Sequence, residues 1–195
     1  TTEDTRELYD QWAAGYDADL LDGCGYRSPE IVATAFAERV SDRACRIIDL
    51  GCGTGLVGVA LAARGFTHMD GLDISTGMLE EARGKGVYEN LFQGDLTASD
   101  GVTGIADGTY DAMLCANSFA SGHVGPEHLD GLIRTVKPDG PMVLYINAVP
   151  FVEDGYPKAF KRLEDAGAWT VETLEASNYM DEIQRPGWLV VARRG

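Results

Sequence analysis

Basic residues are scarce in this sequence. Lys and Arg number 16 against 31 Asp and Glu among 195 residues, a formal net charge of −15. A surface of that sign repels phosphate backbones, so nucleic acid is not expected as a substrate. No apolar run approaches the ~20 residues that a membrane helix needs. The opening residues, Thr1-Thr2-Glu3-Asp4, are too polar and acidic for a secretion signal. Cysteine is also sparse: Cys24, Cys45, Cys52 and Cys115 form no C-x-x-C pair. That spacing argues against a zinc site and suits free thiols in a reducing compartment. We expect a cytoplasmic protein with no metal and no membrane partner. Repeats and low-complexity linkers are missing as well. What the chain does have is 45% hydrophobic residues. At this length they suffice for one domain with a buried core, expected to span residues 1–195.

The organising stretch is Arg46-Ile-Ile-Asp49-Leu50-Gly51-Cys52-Gly53-Thr54-Gly55, followed by an apolar helical pattern that Gly65 ends. A short run with β-branched residues reads as a buried strand. Glycines at alternate positions then allow a sharp turn and a close approach of backbone to ligand. The following helix aims its N-terminal N–H groups at that ligand. Such a turn at the end of a first strand is where open α/β sheets bind nucleotide-like molecules. Gly53-x-Gly55-x-x-Gly58, with Asp73 twenty residues after Gly53, formally fits a dinucleotide fingerprint. Asp49, however, stands two residues before the first glycine of the turn. A carboxylate there favours a ligand with an ammonium group over a pyrophosphate. Farther on, His68 to Ile74 reads as a second strand that ends on Asp73, whose two oxygens suit a pair of ribose hydroxyls.

Asp49-Leu-Gly-Cys-Gly-Thr-Gly55 strongly resembles the first motif of class I S-adenosylmethionine methyltransferases. The resemblance implies a doubly wound, Rossmann-like α/β sheet of seven strands. It also implies an antiparallel C-terminal hairpin and S-adenosylmethionine as cofactor. It places Asp49, Gly51, Cys52, Gly53 and Asp73 at that cofactor. Tyr9-Asp-x-Trp12-Ala-x-x-Tyr16-Asp17 resembles the family's lead-in helix, whose tyrosines border the methionine end of the cofactor or the substrate. Residues 1–44 are therefore expected as a helical cap. Ile74 and Met78 are expected to line the adenine. Gly94-Asp95-Leu96 matches the position whose acid accepts the adenine amino group. Tyr26-Arg-Ser-Pro29, Ala63-Arg-Gly-Phe66 and Arg83-Gly-Lys-Gly-Val-Tyr88 further resemble the methyltransferase-like proteins of the Williams–Beuren region and their bacterial relatives.

The remaining elements follow in order. Thr2 to about Leu20 reads as a helix with Tyr9, Trp12 and Tyr16 on one face. Ser28 and Pro29 open a second helix, as cap and first position. Tyr88 to Leu96 reads as a third strand with its exit, and Tyr110 to Asn117 as a fourth. Asn117, Ser118 and His123 then lie at the topological switch point, near the transferable methyl. Glu127 to Val136 is expected as helix and Met142 to Asn147 as strand. A helix opened by Pro157 follows. Trp169 to Ala176 and Trp188 to Arg193 are expected as strands around a turn containing Arg185-Pro186-Gly187.

The expected function is methylation of a small-molecule acceptor by direct displacement. The alternatives are an NAD(P)-dependent oxidoreductase and a non-enzymatic protein that binds S-adenosylmethionine. No catalytic residue is assigned. His123 is a candidate base, although alignment of nucleophile, carbon and leaving sulfur often suffices for methyl transfer. Arg27 is a candidate partner for a carboxylate of ligand or substrate.

Overall fold

The computed structural model describes residues 2–98, 102, 104–119 and 123–195, with the backbone alone at residue 117. Seven strands form one sheet in the order β3-β2-β1-β4-β5-β7-β6. They are β1 Ile47–Leu50, β2 Met69–Asp73, β3 Asn90–Gln93, β4 Ala112–Phe119, β5 Pro141–Asn147, β6 Trp169–Met180 and β7 Arg185–Arg194. The first five run parallel, and β7 is antiparallel to both β5 and β6. Parallel neighbours need crossovers, and helices supply most of them. The helices are α1 Thr2–Cys24, α2 Ser28–Arg39, α3 Leu56–Ala62, α4 Thr76–Lys85, α5 Leu129–Ile133, α6 Ala148–Glu153 and α7 Tyr156–Asp165, of which α3, α4 and α5 lie between parallel strands.

All residues of β1 and β2 are buried, as befits strands covered on both faces. Alternate side chains then feed two cores. Ile48 and Leu50 point into one with Phe119, Tyr156, Phe160 and Trp169. Ile47 points into the other with Phe36, Leu61, Tyr145 and Tyr179. The strand order reverses between β1 and β4, which opens a crevice beyond their carboxyl ends. Among the described residues no helix is long and apolar enough to cross a membrane.

Several boundaries differ from expectation. Helix α1 runs four residues past Leu20. Ser28 is the first residue of α2 rather than its cap, which is Arg27. The expected helix over 127–136 is a 3-10 turn at Pro126–His128 followed by the short α5. Gly131 weakens a helix there, and a bridge between Val136 and Tyr110 draws the chain toward the sheet. Arg185, Pro186 and Gly187 belong to β7, and the turn lies before them. Pairing of β7 with β5 ends at Gly187. Pro186 therefore sits where β7 has one open side, a place that tolerates its missing N–H.

Candidate functional site

A cleft opens at the carboxyl ends of β1, β2 and β4. Nine of the residues expected at the cofactor line it: Tyr9, Tyr16, Gly51, Gly53, Asp73, Ile74, Met78, Asp95 and Leu96. Ser118 and His123 line it too. Asp49 and Cys52 are not part of its wall. Both are buried, Asp49 at the end of β1 and Cys52 within the turn. The side chain of Asn117 lies outside the described residues.

The turn that follows β1 meets the cleft at Gly53. Its φ of +54° is a left-handed conformation that favours glycine. A Cβ built there meets no atom within 4 Å, so the backbone borders open space. The Gly53 N–H donates to Asp73 Oδ2 at 2.8 Å. Asp73 Oδ1 accepts the Ser75 N–H at 2.9 Å. Burial raises the Asp73 carboxyl above the ordinary range, and these backbone N–H groups oppose that shift. Asp95 holds the next loop through Thr97, whose N–H and hydroxyl both donate to its Oδ1 at 2.7 Å. Ile74, Met78 and Leu96 give the same end of the cleft an apolar wall.

Asp49 behaves differently from Asp70, another buried acid nearby. Asp70 accepts from Arg46 at 2.9 Å, Asn90 at 2.7 Å and Tyr110 at 2.9 Å. Its charge is matched inside the fold. Asp49 is 1% exposed, and its Oδ2 accepts from Tyr88 Oη at 2.6 Å. Its Oδ1 is buried and has no partner among the described residues. Burial pushes this carboxyl up to about 7, the Tyr88 hydrogen bond pulls it down, and the Asp73 charge adds to the rise.

Helix α1 closes the cleft from above. Of the expected cap over residues 1–44, only α1 lines the cleft. Helix α2 instead packs on α3 and on β4 and β5, within the core on one sheet face. Two carboxylates two turns apart fasten α1. Asp10 Oδ1 accepts from Ser75 Oγ at 2.6 Å and from the Gly77 N–H at 3.0 Å. It thereby supplies an acceptor to the first turn of α4 from outside that helix. Asp17 accepts from Thr54 Oγ1 at 2.5 Å and pairs with Lys85 Nζ at 2.7 Å. Tyr9 and Tyr16 then hang into the cleft, with Tyr9 5.8 Å from the His123 ring, centroid to centroid. Trp12 shares that face, stacked on Tyr9 and edge-on to Tyr16, without reaching the cleft wall. Burial raises the Tyr9 hydroxyl to about 12, so the wall it forms is neutral.

Sequence reasoning missed Thr2, Thr5, Thr97 and Val124, which also line the cleft. It gave Tyr88 no role beyond opening a strand. The hydroxyl-bearing residues of α1 carry no spacing that separates them from solvent-facing ones. Arg27 is not in this cleft. It pairs with Asp181 at 3.1 Å, both side chains exposed. Tyr145 and Tyr179 pack against each other, and Tyr145 donates to the Ser177 carbonyl at 2.8 Å.

Residues 47–140 match the family described as a methyltransferase domain. Methyltransferase-like protein 27 of Homo sapiens is 32% identical over 168 residues, which cover 83% of this chain and 66% of that protein. The 18S rRNA (guanine-N(7))-methyltransferase of Bos taurus is 40% identical over 75 residues, covering 37% of this chain and 25% of its own. The chain thus spans just under two thirds of the human relative and a quarter of the bovine one. Among solved structures, magnesium protoporphyrin IX methyltransferase from Synechocystis PCC 6803 with bound SAH shares the fold. It has a TM-score of 0.71 at 17% identity, covering 100% of this chain and 99% of that one.

Proposed function

We propose that this chain, which is similar over most of its length to methyltransferases, is a class I S-adenosylmethionine (SAM)-dependent methyltransferase that transfers the SAM methyl group to a small-molecule acceptor by direct displacement. The observation that carries this reading is the unpartnered Oδ1 of Asp49 beside a glycine turn. A buried acceptor of that kind is costly unless a donor reaches it, and the ammonium group of SAM is such a donor. The rest of the donor set fits the same molecule. Asp73 offers acceptors for ribose hydroxyls, Asp95 an acceptor for an adenine amino group, and Ile74, Met78 and Leu96 an apolar slot.

When bound, SAM supplies an electrophilic methyl carbon on a positively charged sulfur. The residues of the chain align, shield and neutralise. Tyr9 and Tyr16 cover the cleft and exclude water, which strengthens each electrostatic contact inside. Their ring faces attract a cation. Ser118 and His123 border the side on which an acceptor enters, and close placement there supplies several kcal/mol of the barrier.

Charge argues for the acceptor class. The sequence has no Lys or Arg between Lys85 and Arg134, the stretch that supplies Gly94 to Val124 of the cleft wall. No described residue lining the cleft is Lys or Arg. An acceptor carrying phosphate or carboxylate finds no countercharge, whereas a neutral or cationic one needs none. This argues against an acceptor like the rRNA named for its bovine relative. The test is methyl transfer from labelled SAM to pooled small metabolites and, separately, to total RNA and protein. We expect label in neutral or cationic metabolites. Label confined to RNA or protein would overturn the acceptor class.

A further inference from the structure

Tyr88 lies before β3 and turns its ring toward the glycine turn. The turn is shaped around it. A Cβ on Gly58, in the first turn of α3, would stand 2.5 Å from both the hydroxyl oxygen and the ring of Tyr88. A Cβ on Gly55 would meet the same ring at 3.0 Å. Gly58, which completes the dinucleotide-like spacing, is therefore explained by a neighbouring side chain and not by a phosphate. The ring delivers one hydroxyl to one atom, Asp49 Oδ2, at 2.6 Å. The second oxygen of that carboxylate is left buried and without a partner among the described residues.

We propose that Tyr88 is a positioning residue for the cofactor site. By holding Oδ2, it fixes the Asp49 carboxylate so that Oδ1, buried two residues before Gly51 of the cleft wall, is the oxygen left for the ammonium group of a bound ligand. This rests on the SAM reading of the cleft. A carboxylate with one oxygen anchored loses its rotation before binding, so the ligand need not restrict it. Acidic and thiol groups close to Asp49 are Asp73 and Cys52 on the turn side and Cys115 on β4. None of them is a cation, so the ammonium group of the ligand is the charge that Asp49 lacks.

The experiment compares two ligands of which one carries that ammonium group. S-adenosylhomocysteine carries it. 5′-Methylthioadenosine shares the nucleoside and thioether but lacks the amino acid portion. Both are titrated calorimetrically into wild type, Tyr88→Phe, Asp49→Asn and the double variant. Phenylalanine keeps the ring that Gly55 and Gly58 admit, and thermal unfolding checks that each variant is folded. Tyr88→Phe is expected to weaken S-adenosylhomocysteine about tenfold, the scale of one hydrogen bond to a charged group, and to leave 5′-methylthioadenosine unchanged. The double variant should bind no worse than Asp49→Asn alone. Equal weakening of both ligands would make Tyr88 a packing residue and overturn the proposal, as would no change in either. A wild type that binds neither ligand would instead remove the SAM reading itself.

Discussion

Asp73, at the end of β2, accepts the backbone N–H of Gly53 at 2.8 Å and so ties β2 to the turn that follows β1. Its second oxygen holds the Ser75 N–H at 2.9 Å, where α4 begins. One side chain thus shapes the turn and borders the cleft. Asp73→Ala leaves two backbone donors without an acceptor, at a cost of about 1–3 kcal/mol in stability. It also removes a charged acceptor for the ligand, and SAM binding should weaken at least ~tenfold. Asp73→Asn should recover part of the stability and little of the affinity. Urea unfolding and calorimetric titration of both variants measure the two effects. A stable Asp73→Ala variant that binds SAM like wild type would remove Asp73 from the site.

The acids and the glycine turn were legible in the sequence because each is a local pattern at a strand end. Ile47 to Leu50 and Met69 to Asp73 read as strands for the same reason. What escaped was set by distance. Asp10 reaches Ser75 and Asp17 reaches Thr54 and Lys85, yet both look like ordinary solvent-facing acids of a helix. Tyr88 escaped because its partner, Asp49, lies 39 residues away. The start of β7 escaped because the length of β5 decides where Pro186 is tolerated.

The raised carboxyl of Asp49 gives a pH signature. In the unfolded chain an aspartate titrates near ~3.9, whereas burial moves Asp49 to about 7 in the folded protein. The folded state therefore holds an extra proton between these values. The stability this confers is full below the unfolded value and is lost as pH rises through about 7. Asp49→Asn, neutral throughout, escapes that loss, so its melting temperature relative to wild type should climb from pH 4 to pH 8. A cationic ligand favours the ionised form. SAM affinity of wild type should rise between pH 5.5 and 7, and that of Asp49→Asn should vary less. Parallel pH profiles for the two proteins would contradict the assignment.

Helix α1 should respond to ligand. Two carboxylates fasten it, and it buries Tyr9 and Tyr16 toward the cleft, so it is expected to open and close around binding. Amide exchange over Thr2–Cys24 should slow when SAM binds. Asp10→Ala together with Asp17→Ala should speed exchange there in the free protein. Exchange that ignores ligand would reduce α1 to packing.

His123 tests how much chemistry beyond alignment is required. It borders the cleft beside Tyr9, and placement is expected to carry most of the catalysis. His123→Ala should slow turnover less than ~tenfold once an acceptor is in hand, with SAM affinity intact. A loss of about a thousandfold in kcat, with SAM still bound, would make His123 an essential base.

The central claim, that this cleft is built for SAM and not for a dinucleotide, is tested most directly by one calorimetric comparison. SAM, S-adenosylhomocysteine and NAD are titrated into the unmodified protein at neutral pH. The account predicts saturable binding of both sulfur ligands and no heat from NAD. Tight NAD binding, with silence toward SAM and S-adenosylhomocysteine, would contradict it.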